Sequence, residues 1–165
     1  MFGERFKARL SGKVFPLIQE VLVGSVEEFY EAFIEQVDLA MSGKIKIEAF
    51  DQSTDHYLIT FLRCATSAYL QAHASEFEPY LEDFSSIKDF CRKEVDPMYK
   101  ECDELQIIAL TRSFGIPVDI FYLDRSVGDT PNMIRLPQEE QDGYEGPEIA
   151  LVYKPGHYDA LYLNP

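Results

Sequence analysis

The sequence predicts an α+β fold in which helices come first and a small, mainly antiparallel sheet follows. The 165 residues suit a single domain with one packed core. Apolar residues recur at helical spacing through the first two-thirds of the chain. The apolar runs of the last third are instead rich in β-branched and aromatic residues. We therefore expect residues 1–165 to form one domain.

Four helices are predicted from start and stop signals. In chain order the signals are Ser25 with Glu28, Gly43, Ser53, Ser86, Asp103 and Gly115. Residues 2–23 have only a weak helical pattern, because Gly12 and Pro16 interrupt it.

Three strands are predicted after the helices, at Val118–Leu123, Ile149–Tyr153 and Tyr158–Tyr162. Pro155-Gly156 between the last two has the residue order of a type II turn, so these strands should form a hairpin. Residues 126–147 combine glycines, prolines and an acidic run, which indicates an exposed loop within the domain.

The charge of the chain restricts its partners. Asp and Glu outnumber Lys and Arg by 29 to 15, for a net charge of −14. Phosphate backbones would repel such a chain, so a nucleic-acid partner is disfavoured and a basic or neutral protein surface is favoured. We expect no membrane partner, since no apolar run approaches the length of a membrane span and Met1–Arg5 does not begin a secretory signal. The expected location is the cytoplasm, and the nucleus is compatible with the same features.

Metal and cofactor sites are not expected. Three cysteines without a C-x-x-C pair favour neither a disulfide scaffold nor a zinc site. The sequence also lacks the H-E-x-x-H, Walker A, G-x-G-x-x-G and EF-hand patterns.

The strongest chemical feature is His157 followed by Asp159. In a strand, residues two apart lie on one face, so the carboxylate could orient the imidazole as in the base half of a catalytic triad. The alternative is a solvated surface pair, and catalysis would need a nucleophile nearby.

The three thiols are weak nucleophile candidates. Cys64 and Cys91 lie on apolar helix stripes and are predicted to pack in the core. Cys102 precedes a helix start, which can lower the pKa of a thiol, but its acidic neighbours disfavour the thiolate. We interpret all three as structural or incidental.

Five stretches of the sequence together form a recognisable pattern: Asp51–Thr54 with Tyr57-Leu58, Phe90-Cys91 with Glu94–Met98, Glu101–Asp103 with Ile107–Leu110, Tyr122–Arg125, and Tyr153–Asp159 with Leu161-Tyr162. In this pattern the chain resembles the otubain family of OTU-type cysteine deubiquitinases. The resemblance extends from about Phe29 to Tyr162, and residues 1–24 match only weakly.

The resemblance implies a papain-like OTU domain that hydrolyses isopeptide bonds to ubiquitin with a Cys-His-Asp triad and no cofactor. His157 would be the general base and Asp159 its orienting acid. Otubains carry the nucleophile in a D-G-N-C-F stretch near the start of the domain, and the sequence contains no such stretch. We therefore expect the chain to correspond to the C-terminal two-thirds of the domain, truncated on its N-terminal side.

The resemblance also implies two binding surfaces. The residues implied for ubiquitin are Phe77, Glu78, Pro97, Met98, Asp103, Ile107 and Asn132. Those implied for a ubiquitin-conjugating enzyme, as in some family members, are Tyr57, Leu58, Phe61 and Leu62. Alternatively, these aromatic and aliphatic side chains only pack helices together.

Our leading hypothesis is an otubain-like protein that binds ubiquitin, polyubiquitin or a conjugating enzyme, with its isopeptidase activity lost or impaired. The second hypothesis is an active thiol isopeptidase that has recruited Cys102. The third is a truncated product or incomplete gene model without a role of its own, because loss of a central helix would expose apolar surface that is otherwise buried. The apolar side chains of residues 6–18 would cover part of that gap.

Overall fold

The computed structural model describes residues 2–44, 51–123, 131–138, 144, 146 and 149–162. The α-helices are α1 (Phe2–Arg9), α2 (Phe15–Val21), α3 (Glu27–Met41), α4 (Gln52–Ala72), α5 (Ala74–Phe77), α6 (Ile87–Phe90) and α7 (Glu104–Phe114). The strands are β1 (Val118–Tyr122), β2 (Asn132–Leu136), β3 (Ile149–Lys154) and β4 (His157–Leu161). This order confirms the predicted α+β fold.

The N-terminal segment is helical despite its weak sequence pattern. A π-helical turn at Leu10–Val14 joins α1 to α2 and contains Gly12, while Pro16 lies in the first turn of α2, where its missing N–H is tolerated. Leu10 and Ile18 are completely buried in a core cluster with Phe61 of α4. The apolar side chains of this segment therefore form part of the core.

Arg9 joins the N-terminal segment to α7. Its guanidinium donates to the carbonyl of Ser113 through Nε and to that of Arg112 through Nη2, both at 2.8 Å. These are carbonyls of the last turn of α7, which have no partner within the helix. The contact ties residues that are more than 100 positions apart in the sequence.

The starts of three helices match the predicted signals to different degrees. Ser86 accepts from the N–H of Asp89 at the start of α6, and Asp103 forms a capping box with Gln106 at the start of α7. The capping box predicted at Ser25 and Glu28 is wrong. The Ser25 hydroxyl donates instead to the Glu27 carboxylate at 2.8 Å, so the polar contact forms one residue earlier than the box requires.

Helix α7 ends as predicted at Gly115, which has the left-handed φ of 66° that glycine adopts most readily.

A second core cluster includes Leu70, Phe77, Phe90 and Cys91. The long helix α4 contributes to both clusters, with Phe61, Ala65 and Ala68 in one and Leu70 in the other.

The sheet has the strand order β2-β1-β3-β4. The pairs β1–β2 and β3–β4 are antiparallel and β1–β3 is parallel, so the sheet is mainly antiparallel as predicted. The prediction of one exposed loop over residues 126–147 is wrong in part, because β2 lies within it and Leu136 is completely buried. Pairing with β1 satisfies the backbone of β2, a long-range contact that local composition does not indicate.

No helix in the described ranges is both long enough and apolar enough to cross a membrane.

Candidate functional site

His157 and Asp159 lie at the start of the edge strand β4. Gly156, with φ 79°, closes the tight turn from β3, and Lys154 pairs with His157 across it. His157 Nε2 lies 3.0 Å from Asp159 Oδ1, and the two side chains remain 65% and 55% exposed. If Nε2 carries the proton that Asp159 accepts, Nδ1 keeps a lone pair that can take a proton from a ligand.

The structure brings Cys102 into the same groove as His157. No hydrogen bond joins the Cys102 thiol to the imidazole in the described part of the chain. Partial burial raises the pKa of Cys102, Arg63 opposes that rise, and Asp103 adds to it. This direction disfavours the thiolate that a nucleophile needs.

The other two thiols are located in the core, as predicted. Cys91 is completely buried, and its Sγ donates to the carbonyl of Ser67 at 3.9 Å. Burial raises the pKa of Cys91 to about 12 and that of Cys64 to about 11. Neither thiol lines the groove of His157.

The groove that contains His157, which we call the histidine groove, has a volume of about 810 Å³. Its lining residues are Glu94, Tyr99, Lys100, Glu101, Cys102, Asp103, Glu104, Tyr122, Tyr153, Gly156, His157 and Tyr158. Burial, followed by the neighbouring Tyr122, Tyr153, Asp103 and Cys102, raises the pKa of Tyr158 to about 12. Four carboxylic side chains line the groove, Glu94, Glu101, Asp103 and Glu104, against one lysine, Lys100.

One wall of the histidine groove is the segment between Val95 and Asp103. Arg63 of α4 holds this segment by donating to the carbonyls of Val95 and Lys100, each at 2.7 Å. Tyr99 has a left-handed φ of 64°, which is uncommon for a residue other than glycine. Its hydroxyl lies 3.0 Å from Nε2 of His56, so α4 contacts the wall at Val95, Tyr99 and Lys100.

A second concave surface has a volume of about 860 Å³. We call it the apolar cleft after Phe77, Leu105, Ile108 and Leu136 in its lining, which also contains charged side chains. Its lining residues are Glu76, Phe77, Tyr80, Asp103, Glu104, Leu105, Ile108, Arg112, Leu136 and Gln138. Asp103 and Glu104 line both surfaces, so the apolar cleft and the histidine groove meet at the start of α7.

Of the seven residues implied for ubiquitin binding, two line the apolar cleft. Phe77 and Asp103 line the apolar cleft, whereas Pro97, Met98, Ile107 and Asn132 do not. Glu78 also lies outside the lining, and its carboxylate accepts from the N–H of Ile87 at 3.2 Å. Met98 contacts Thr60 of α4 through its sulfur at 3.8 Å.

Sequence reasoning missed Leu105, Ile108 and Arg112, which line the apolar cleft from one face of α7. Their three- and four-residue spacing was visible in the sequence, but such a stripe indicates core packing as readily as a ligand surface. Exposed Tyr80 and buried Leu136 of β2 complete the cleft, and only the fold brings these two residues close to α7.

The implied docking surface on α4 requires one correction. Phe61 is completely buried against Tyr30, Phe33 and Phe114, so it is a core residue and cannot contact a partner. Tyr57 is 38% exposed and Leu58 and Leu62 are half-buried. Ile59, which the sequence did not single out, is 40% exposed on the same helix.

No group of three or more His, Cys, Asp and Glu side chains among the described residues could hold a metal ion. The site therefore consists of an exposed His–Asp pair, an acidic and aromatic groove and an adjoining apolar cleft.

The structure thus combines helices that precede a small sheet with a His–Asp pair at the start of a strand. The model of the peptidase C65 otubain family matches residues 13–163, and the chain belongs to that family. The match begins upstream of Phe29, so it includes part of the N-terminal segment that resembled the family only weakly.

Known relatives agree with this assignment. The chain is 38% identical over 164 residues to ubiquitin thioesterase OTUB1 of Rattus norvegicus, covering 96% of this chain and 59% of the relative. It is 33% identical over 169 residues to ubiquitin thioesterase OTUB2 of Homo sapiens, covering 96% and 67%. The chain thus spans about three-fifths of the length of OTUB1.

Solved structures confirm the OTU fold. The structure of an OTUB1 complex with ubiquitin aldehyde and UBC13~Ub superimposes with a TM-score of 0.84 at 30% identity, covering 97% of this chain and 64% of the other. A second complex, with ubiquitin aldehyde and UBCH5B~Ub, gives a TM-score of 0.83 at 29% identity.

Proposed function

We propose that this chain binds ubiquitin and that the 165 residues alone do not hydrolyse isopeptide bonds. The observation that carries the proposal is the junction of the two concave surfaces at Asp103 and Glu104. A globular partner in the apolar cleft could extend its chain terminus along this shared wall towards His157. The presence of ubiquitin aldehyde in complexes of the relative OTUB1 supports ubiquitin as that partner.

The proposed loss of hydrolysis follows from the thiols. His157 has its orienting carboxylate, but the sequence has no D-G-N-C-F stretch and the Cys102 thiol makes no hydrogen bond to the imidazole. Thiol hydrolysis requires a thiolate near the base, and the pKa of Cys102 is raised. The remaining activity of the chain is then binding.

Binding is tested by titrating fluorescent ubiquitin with the purified chain. We expect saturable binding that weakens in Tyr80→Ala and Ile108→Ala. Tyr80 is 69% exposed, so its loss should leave the fold intact, and Glu31→Gln on α3 is the matched control outside both surfaces. No saturation at high micromolar concentration, or equal affinity in Tyr80→Ala, would contradict the proposal.

A ubiquitin-conjugating enzyme is the second partner we propose, with the exposed Ile59 of α4 and the half-buried Leu58 and Leu62 on the same side of the helix as the contacts. The OTUB1 complexes that contain UBC13 and UBCH5B conjugates support this class of partner. A panel of conjugating enzymes should include at least one whose affinity falls in Ile59→Ser, and a panel without saturable binding would remove this part of the proposal.

An alternative function is that of an active isopeptidase that uses Cys102, because Cys102 and His157 line one groove. A ubiquitin probe with an electrophilic carboxyl terminus distinguishes the two functions. We expect no covalent adduct. An adduct that is lost in Cys102→Ala would establish the alternative and overturn our proposal on activity.

A further inference from the structure

Tyr80 is an exposed tyrosine in the lining of the apolar cleft. Its side chain is 69% exposed, and it lies in a single 3₁₀ turn, Glu78–Tyr80, that follows α5. The Tyr80 hydroxyl forms no hydrogen bond with any residue that the structure describes. This phenol is therefore open to an enzyme that approaches from solvent.

Tyr99 is a second exposed tyrosine, but its hydroxyl already has a partner. It is 82% exposed, and its hydroxyl lies 3.0 Å from Nε2 of His56. Arg63 holds the backbone on either side of it by donating to the carbonyls of Val95 and Lys100, each at 2.7 Å. An enzyme that modifies this phenol has to break the hydrogen bond to the imidazole first.

The backbone that follows Tyr80 is irregular. Residues 81–86 belong to no helix or strand, and residues 82–85 make no backbone hydrogen bond to another described residue. A segment with so few hydrogen bonds opens locally at low cost. An enzyme that binds its acceptor segment in an extended form can therefore reach Tyr80 without unfolding a long helix.

Acidic side chains flank Tyr80 on both sides in the sequence. Glu76 and Glu78 precede it by four and two residues, and Glu82 and Asp83 follow it by two and three. All four side chains are exposed. An enzyme whose substrate groove is basic would bind this segment through complementary charge.

We propose that Tyr80 is a phosphorylation site for a tyrosine kinase with a basic substrate groove, and that its phosphorylation lowers the affinity of the apolar cleft for ubiquitin. The Tyr80 oxygen attacks the γ-phosphorus of ATP. One P–O bond forms, the P–O bond to ADP breaks, and the phenolic proton passes to the base of the kinase. The effect on ubiquitin rests on the proposed function, whereas the modification itself does not.

A phosphate on Tyr80 would change the charge of the apolar cleft. It adds a charge of about −1.5 to −2 at neutral pH. Among the described residues, the lining has three carboxylates, Glu76, Asp103 and Glu104, against one guanidinium, that of Arg112. Arg112 is already engaged, because its Nη1 lies 3.3 Å from Oε2 of Glu76. A ubiquitin molecule over the cleft would therefore bury the phosphate among carboxylates, which disfavours binding.

The first test treats the purified chain with MgATP and the catalytic domain of a tyrosine kinase that selects acidic residues around its acceptor. Mass spectrometry follows the phosphate at each tyrosine with time. We expect Tyr80 to be phosphorylated about two- to tenfold faster than Tyr99, the factor that one hydrogen bond to His56 accounts for. No phosphate on Tyr80, or a rate no faster than that of Tyr99, would overturn the proposal.

A substitution at His56 tests why Tyr99 reacts more slowly. His56→Ala frees the Tyr99 hydroxyl, so phosphorylation of Tyr99 should become about two- to tenfold faster while the rate at Tyr80 stays the same. An unchanged rate at Tyr99 would contradict the protection that we assign to the hydrogen bond, and with it the reason for the preference.

Substitutions of the flanking carboxylates test recognition by charge. Glu82→Gln with Asp83→Asn should slow the phosphorylation of Tyr80. The control is Glu31→Gln with Glu35→Gln on the exposed face of α3, which changes the net charge equally and should not slow it. Equal rates in the two double variants would refute a kinase that selects the acidic segment.

Fluorescent ubiquitin measures the effect on the apolar cleft. Phosphorylation of Tyr80 should weaken ubiquitin binding at least about tenfold, and treatment with a phosphatase should restore it. In Tyr80→Phe, treatment with the kinase should not change the affinity. Equal affinity of the phosphorylated and unmodified chains would refute the regulation that we propose.

The same measurements separate this inference from the proposed function. An unmodified chain that does not bind ubiquitin, but is phosphorylated at Tyr80, would refute the proposed function and leave the modification site established. An unmodified chain that binds ubiquitin, but acquires no phosphate on Tyr80, would refute this inference alone.

Discussion

Replacing Arg9 with alanine should destabilise the protein by removing the link between its N-terminal helix and α7. The guanidinium makes two hydrogen bonds of 2.8 Å to carbonyls at the C-terminal end of α7. A hydrogen bond to a charged group contributes about 1.5–3 kcal/mol, and Arg9 is only half-buried, which lowers that figure. The positive charge also interacts favourably with the helix dipole, by about 0.3–1 kcal/mol. We expect Arg9→Ala to reduce the free energy of unfolding by about 2–4 kcal/mol.

Urea unfolding followed by circular dichroism measures this loss. The midpoint should fall while the slope with denaturant concentration stays the same, since the substitution changes stability and not the surface exposed on unfolding. Arg9→Lys keeps the charge but cannot bind both carbonyls as a planar fork, so it should lose about half as much. Arg92→Ala, whose side chain is 75% exposed, is the control and should change the midpoint little. An Arg9→Ala midpoint equal to that of the unmodified chain would refute the role we assign to Arg9.

Three further predictions concern the core, the thiols and one glycine. Phe61→Ala should lower the free energy of unfolding, measured in urea, by about 3–5 kcal/mol, because it leaves a cavity in the core. Tyr57→Ala on the same helix should lower it far less. Similar losses in the two variants would contradict the assignment of Phe61 to the core. Burial raises the pKa of Cys91 in the folded protein from 9.0 to about 12, so at alkaline pH the thiol loses its proton when the protein unfolds. The urea midpoint should therefore fall as the pH rises above 9.0. In Cys91→Ala the midpoint should fall less steeply with pH. Gly115→Ala should lower the free energy of unfolding by at least about 1–2 kcal/mol, because a residue with a Cβ atom disfavours the left-handed φ of 66°. The added Cβ atom would also lie only 2.8 Å from Cζ of Arg9. An unchanged thermal midpoint would contradict this prediction.

The helix ends that the sequence predicted well are those determined by local contacts. Ser86, Asp103 and Gly115 each act within one turn of backbone, so their residue types indicate their roles directly. Strand β2 was missed because it lies between Pro131 and Pro137 and is held by pairing with the distant β1. The composition of a segment indicates its turns well, but it does not indicate the distant strand with which the segment pairs.

The candidate site was likewise predictable only where contacts between residues close in sequence determine it. Alternation along a strand was sufficient to place His157 beside Asp159. The stripe of Leu105 and Ile108 was assigned to helix packing because periodicity identifies an apolar face but not what covers it. Phe61 was placed on a docking surface by the family resemblance, which does not show that three aromatic neighbours bury it.

The most direct test of the proposed function is NMR mapping of unlabelled ubiquitin on the isotopically labelled chain. We predict that the shifted backbone amides form one continuous surface from Tyr80 and Ile108 in the apolar cleft, through Asp103 and Glu104, to His157. Amides of α3, such as that of Glu31, should not shift. Shifts confined to α3, or no shifts at a ubiquitin concentration in large excess, would contradict the proposal that the two concave surfaces form one ubiquitin-binding site.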